Sequence, residues 1–380
     1  MKSKCKLGDI ISQRREKYNG ENLPICGVTR DGFIPPKQKD ADLSLYNVFY
    51  KDDFVFNPAR MELNAIVFND IYEKAICSSL YEIFYVSKPD IVLPSFLALL
   101  VKQAWFTRYC EFLGSGSARE YCRVVNISEI EIEYPDLDEQ RRIVNEYDVI
   151  RNRIALKRRI NDNLEATAMT LFKSWFVDFE PFDCDKRGVP FNWQLTTLES
   201  RVSTSTQSIN PQKIATSKVW HYSIPAFDSE RLPCLDTAKD ILSNKYLVPA
   251  DAILVSKLNP ETKRIWRTLR CFNDAICSTE FIVFNSLNKK HRAFYYLLFN
   301  TNQFIDFLVS NATGSTNSRM RVKPASSLDF EFIVPPDNVL DRFCSEVEPL
   351  LSEIDNNLLE TRKLSSLIPV AVAKMMSSSR

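Results

Sequence analysis

The sequence predicts an α+β protein: two tandem mixed α/β domains, separated by two long helices packed as an antiparallel coiled coil, with pseudo-two-fold symmetry. Three observations carry this reading. Between Asp138 and Phe179, apolar residues recur in alternating steps of four and three with no Gly or Pro, which is the seam of a coiled-coil helix. The same pattern returns 200 positions later. Short matches outside the helices keep that offset, so the globular parts are duplicated as well.

Residues 1–135 form the first domain. Asp53–Phe56, Ala65–Phe68 and Tyr81–Val86 are rich in aromatic and β-branched residues and read as strands. Pro94–Leu113 reads as one helix with Pro at its start. Asp136 and Glu139 offer a capping box for the first long helix, the Asp accepting from free amides and the Glu reciprocating. Residues 136–186 hold this helix and a short polar linker. Its seam runs through Ile143, Tyr147, Ile150, Ile154, Leu164, Ala168, Leu171 and Trp175, with Lys157 and Asn161 as two polar breaks.

Residues 187–335 form the second domain, with strands at Ala252–Val255 and Phe281–Phe284 and a helix over His291–Ser310. Residues 336–380 form the second long helix, capped by Asp337. Its seam is Phe343, Val347, Leu350, Ile354, Asn357, Thr361, Leu364, Ile368, Ala371 and Met375, with polar breaks at the same two steps. Pro369 removes an amide donor and should kink or end this helix. The repeat also links Ala75–Ser78 to Ala275–Ser278, Gly114, Ser115 and Arg119 to Gly314, Ser315 and Arg319, and Leu7–Asp9 to Leu198–Ser200.

Composition removes several function classes. No run reaches the roughly 18 apolar residues of a membrane span; Ile91–Val101 is interrupted by Pro94 and Ser95. Met1–Asp9 lacks the apolar core of a signal peptide, and ten Cys occur without a CxxC pair. Reduced thiols in a cytoplasmic protein follow. A net charge of +1 is low for a free-standing nucleic-acid binder. Charge is uneven, however: Glu129, Glu131, Glu133, Asp136, Asp138 and Glu139 form an acidic run, and Arg151, Arg153, Lys157, Arg158 and Arg159 a basic one. Solvated faces and helix-dipole placement account for both in the plainest way.

Catalytic motifs do not assemble. Phe112–Gly116 fits the F-x-G-x-G pattern for S-adenosylmethionine, but a strand must lead into that turn, and Gln103–Leu113 reads as a helix. No Asp, Asn or Ser precedes Pro-Pro and an aromatic; Asn57-Pro58-Ala59, Asn210-Pro211-Gln212 and Asn259-Pro260-Glu261 stop short of it. There is no Walker A loop. His221 and His291 have no metal-ligand spacing. The chain is expected to have no catalytic residue, no metal site and no cofactor.

Pro135-x-Leu137-x-Glu139-Gln140-Arg141-Arg142-Ile143, then Asn163–Ala168, then Leu171–Phe179 resemble the specificity (S) subunits of type I restriction-modification systems. Val255–Pro260 also looks like a stretch of their target-recognition domains. The order domain, helix, domain, helix extends the resemblance over the whole chain. Departures lie near the end, where Asp341-Arg342-Phe343 replaces Glu-Gln-Arg and Lys374–Arg380 lacks a glycine. The resemblance implies a non-catalytic DNA reader. Methylation (M) subunits would carry S-adenosylmethionine and methylate adenine, and restriction (R) subunits would use ATP to translocate and cleave.

On that reading each domain recognises one half of a bipartite, asymmetric site in double-stranded DNA. A helix over 138–179 is on the order of 60 Å long at about 1.5 Å per residue, against roughly 34 Å for one DNA turn. Helix length then sets the gap between half-sites. Lys157 and Asn161 should face Asn357 and Thr361 at the middle of an antiparallel pair. That layer either fixes register at a cost in stability or marks where the helices part and water enters. Candidate DNA contacts are Asn57, Arg60 and Arg119 in the first unit, and Lys257, Asn259, Lys263, Arg264 and Arg319 in the second; the alternative is structural turns with solvated cations. A coiled-coil scaffold without sequence readout is the competing function.

Overall fold

The computed structural model describes residues 3–30, 32–36, 42–114, 121–269, 271–272, 275–314 and 319–377. The chain divides into two compact units, residues 1–153 with 364–380, and residues 154–363. Both boundaries fall inside the long helices, so each unit holds one globular part and a length of each helix.

The first unit begins with β1 (Ser3–Lys6), β2 (Ile11–Arg14), β3 (Ile25–Thr29), β4 (Gly32–Ile34), β5 (Asn47–Tyr50), β6 (Phe54–Phe56), β7 (Ile66–Phe68), β8 (Lys74–Cys77) and β9 (Glu82–Val86). Then come α1 (Pro94–Val101), α2 (Ala104–Gly114), α3 (Val124–Ser128), β10 (Glu131–Tyr134) and the long α4 (Leu137–Phe176). An antiparallel sheet runs β2-β9-β6-β7; a second runs β4-β3-β8-β5, with β3 and β8 parallel. Phe54 and Phe84 stack with centroids 4.8 Å apart, and α1 buries Phe96, Leu97 and Leu100 on the same core. β1 pairs with β10, and Lys4 and Lys6 take up the acidic run through Glu133 (2.9 Å) and Glu129 (2.8 Å).

The second unit repeats this plan. It comprises β11 (Gln194–Thr197), β12 (Val202–Ser205), β13 (Ser208–Ile209), β14 (Lys218–Tyr222), α5 (Ile224–Glu230), β15 (Cys234–Thr237), β16 (Lys245–Leu247), β17 (Ile253–Ser256), β18 (Ile265–Arg267), β19 (Ile276–Ser278), β20 (Phe281–Ser286), α6 (Arg292–Phe299), α7 (Asn302–Ser310), α8 (Pro324–Leu328), β21 (Glu331–Val334) and the long α9 (Asp337–Ser377). Sheet β12-β20-β17-β18 matches β2-β9-β6-β7, and β16-β19-β14 matches β5-β8-β3, again with one parallel pair. The repeated Ala-Ile-Cys-Ser becomes β8 and β19. Leu7–Asp9 and Leu198–Ser200 both become single 3₁₀ turns.

Four local expectations need correction. Pro94–Leu113 is two helices: the α1 chain turns at Lys102, and the Gln103 carbonyl accepts from Phe106 N–H (3.0 Å), starting α2. His291–Ser310 is likewise split. Thr301 Oγ1 caps α7 by accepting from Phe304 N–H (3.3 Å), and the turn lets Phe299 and Phe304 stack at 4.7 Å. Asp136 caps α4 by accepting from Glu139 N–H (2.9 Å), but the Glu139 carboxylate turns to Arg142 (2.5 and 2.7 Å) instead of back to the cap. Of the two outcomes expected at Pro369, an end is excluded: α9 continues to Ser377, and it also contains Pro349.

Candidate nucleic-acid interface

The end of β17 leads into a turn that docks on the segment following Gly314. Val322 N–H donates to the Lys257 carbonyl (3.1 Å), and Asn259 N–H to the Met320 carbonyl (2.8 Å). Asn259 takes φ 47°, a left-handed conformation that Asn tolerates. Gly314 lies so close to the neighbouring chain that an added Cβ would sit 2.6 Å from the Arg319 carbonyl oxygen. These contacts bring Lys257, Asn259 and Arg319 together, with the Arg319 side chain exposed. Arg321 beside them is held by Glu280 (3.0 and 3.1 Å), which raises its pKa further.

Lys263 and Arg264 do not join this group. Lys263 Nζ donates to the Asn300 carbonyl (2.6 Å), and Arg264 makes a two-armed bond to Asp228 (2.7 and 2.9 Å). They face the C-terminal end of α6 and α5, respectively, so neighbours in sequence point to different partners.

The first unit carries the corresponding turn. Phe54 pairs with Phe84 as Ile253 pairs with Phe284, which makes Pro58 the counterpart of Lys257 and Arg60 that of Asn259. Cys122 N–H donates to the Pro58 carbonyl (3.0 Å), as Val322 does to Lys257. Asn57 Oδ1 accepts from Ala59 N–H (3.0 Å), so its side chain is used to shape the turn. Arg60 is exposed. Arg119, Ser115 and Gly116 lie outside the described residues.

The helix seam is where the spacing predicts it. Every seam position from Ile143 to Trp175 and from Phe343 to Ile368 is buried or partly buried; the side chains of Ala371 and Met375 lie outside the described residues. In the second unit, Phe343 meets Phe176, Trp175 and Phe172 at centroid distances of 4.6, 5.5 and 6.1 Å. Further along, Asn357 meets Asn161 and Lys157, so the helices run antiparallel. Asn357 Nδ2 donates to Asn161 Oδ1 (2.8 Å), and Lys157 Nζ donates to Asn357 Oδ1 (2.7 Å) and pairs with Glu360 (3.0 Å). Glu360, next to the expected Thr361, thus joins the layer, and Thr361 itself is partly buried. In the first unit, Ile368 of α9 packs on the core containing Ile143, with Val144 and Tyr147.

Gln140 is a residue that spacing alone did not single out. It is fully buried, donates to the Ile91 and Pro135 carbonyls (2.9 and 2.8 Å) and accepts from Leu93 N–H (2.8 Å). It ties the first turn of α4 to the segment leading into α1. The signal for it was the Glu-Gln-Arg triplet of the resemblance.

Among the described residues, no group of His, Cys, Asp and Glu is placed to hold a metal, and no helix is long and apolar enough to cross a membrane. The first globular part, together with most of its long helix, matches a known domain. Residues 4–166 match the model of the type I restriction modification DNA specificity domain. Beyond that domain, the chain is similar to specificity subunits of type I restriction-modification systems. It is 26% identical over 315 residues to the MjaIX type I restriction enzyme specificity subunit of Methanocaldococcus jannaschii, covering 76% of this chain and 69% of that protein. It is 27% identical over 195 residues to the HindI specificity subunit of Haemophilus influenzae, covering 50% of this chain and 40% of that one. The fold is shared with the crystal structure of a type I restriction-modification S subunit from M. genitalium (TM-score 0.57, 14% identity, 99% of this chain and 96% of that one).

Proposed function

We propose that this chain reads a bipartite, asymmetric site in double-stranded DNA, one domain per half-site, and docks M and R subunits that supply the chemistry. Residues 1–135 and 187–335 are the target-recognition domains, and 136–186 and 336–380 the spacers. The chain itself is non-catalytic and uses no cofactor. The observation that carries the reading is the matched turn: Pro58 and Lys257 accept the same backbone bond on the same scaffold, while the side chains two residues on are Arg60 and Asn259. Equal scaffolds with unequal side chains suit unequal half-sites. Phosphate contacts would set position, and groups reaching base edges would set sequence. The near-neutral charge fits a subunit whose partners share the phosphate neutralisation that dominates affinity.

Methylated adenines can be mapped by sequencing in cells with and without this chain. The proposal expects a two-part motif with one gap length that disappears when the chain is removed. A methylation pattern without a motif, or one indifferent to the chain, favours the scaffold and ends this reading.

A further inference from the structure

Arg267 closes β18 and is 6% exposed. Its Nη1 donates to Glu348 (2.8 Å) and its Nη2 donates to Asp355. Both carboxylates stand on α9, seven residues apart and therefore on one face two turns from each other. The globular part and the helix are joined here by a guanidinium fork. Behind it, Arg292 of α6 is 5% exposed and bonds to the carbonyls of Ala252 (3.0 Å) and Thr268 (2.5 Å), with Asp251 at 3.9 Å. Two lighter ties flank the fork. Arg231 reaches Glu165 on α4 (3.1 Å), and Glu230 reaches Arg362 on α9 (3.7 Å).

Holding a domain on a helix does not require this. Desolvating such charges costs about what their attraction returns, and well-packed apolar side chains do as well or better. The first unit illustrates the point: strand pairing puts Phe68 at the position equivalent to Arg267. Its own ion pair to the helix is reversed in sign, with Asp70 on the domain and Arg151 on α4 (2.7 Å). It is also far more open to solvent, at 52% and 36% side-chain exposure against 5% and 24% for Arg267 and Asp355. What a buried two-armed guanidinium adds is direction, because both arms are satisfied in only one orientation of domain on helix.

We propose that Arg267, Glu348 and Asp355 are positioning residues that lock the second recognition domain onto α9 at one angle, and so set how strictly the complex reads the gap between half-sites. This rests on the bipartite reading proposed above.

The test uses the full chain produced with its M subunits. Methylome sequencing first gives the motif and its gap. Duplexes carrying both half-sites at that gap, one base pair shorter and one longer are then compared as methylation substrates. The wild type should reject the altered gaps. The isosteric pair Glu348→Gln with Asp355→Asn should keep the half-sites while its preference for the native gap falls about tenfold, within the usual range of site-to-site coupling; Asp355→Glu should restore most of it. Should the double variant fail to assemble, Arg267→Lys keeps the charge, loses the fork and answers the same question. Folded variants that lose methylation equally at all gaps, or not at all, overturn the inference. A wild type that accepts every gap instead overturns the bipartite reading, before any variant is compared.

Discussion

The side-chain amide of Asn357 donates to the amide oxygen of Asn161 across the helix pair at 2.8 Å, while Lys157 donates to the Asn357 oxygen at 2.7 Å. Asn357 is fully buried and satisfied at both ends of its amide. A polar pair at the middle of an apolar seam gives up stability to specify one register. Replacing both Asn161 and Asn357 with Leu should leave unfolding in urea unchanged or raise its midpoint. Asn357→Leu alone leaves the partly buried Asn161 oxygen without its donor and should cost about 1–3 kcal/mol, while Lys157 keeps Glu360. The double variant should also methylate sites with more than one gap. If its gap and the homogeneity of its complexes match the wild type, the layer does not set register.

Phe343→Ala tests the seam where it is most apolar. Phe343 is fully buried among Phe172, Trp175 and Phe176. Truncating a buried Phe costs about 3–5 kcal/mol, because the lost transfer energy is joined by a cavity. Equilibrium unfolding should show a loss of that size. A loss under about 1 kcal/mol would mean that the helix pair contributes little to holding the second unit together.

Legibility in the sequence followed the range of the interaction. The seam is a local period repeated twice, so its positions, its polar breaks and the antiparallel meeting of Asn161 with Asn357 could be read directly. The helix breaks at Lys102–Gln103 and Asn300–Thr301 carry no Gly or Pro, and only packing reveals them. Grouping Lys263 and Arg264 with Asn259 failed because sequence neighbours on an irregular turn need not point the same way. Arg267 was invisible for a different reason. Its partners lie 81 and 88 residues away, and a lone Arg at a strand end looks like any exposed cation.

Arg319→Ala should weaken one half-site only. Arg319 is exposed and precedes Met320, whose carbonyl holds Asn259 on the second unit's turn, so its loss should leave recognition by the first domain intact. Where it contacts phosphate, the slope of log affinity against log salt should become shallower by about 0.9. Gly314→Ala should act through the same turn, since its Cβ would press on the Arg319 carbonyl. Binding to duplexes with either half-site scrambled separates the outcomes. Equal weakening at both half-sites, or none, removes Arg319 from the interface.

Asp355 gives the clamp a pH signature. Burial lifts its carboxyl from the ordinary 3.8 to about 6; Glu348 adds to the rise, and Arg267 and Arg292 oppose it. The folded chain therefore takes up this proton before the unfolded chain does. Between roughly pH 6 and pH 4, folding binds a proton, so this group's contribution to stability rises as pH falls. The shift of about two units corresponds to a burial penalty on the order of 3 kcal/mol that is fully present above pH 6. Asp355→Asn has nothing to titrate. The wild type should thus gain on this variant as pH drops from 7.5 to 5, although other carboxylates make both proteins less stable in acid. Protonation also weakens the bond to Arg267, so gap discrimination should fall over the same interval in the wild type alone. The stability of the wild type relative to this variant and its gap selectivity then move in opposite directions with pH, a combination that general acid unfolding does not produce. Unfolding free energies and methylation of gap-altered duplexes at pH 7.5, 6 and 5 test both halves. A stability difference between the two proteins that stays constant over this range shows that Asp355 is ionised throughout and that the clamp does not titrate.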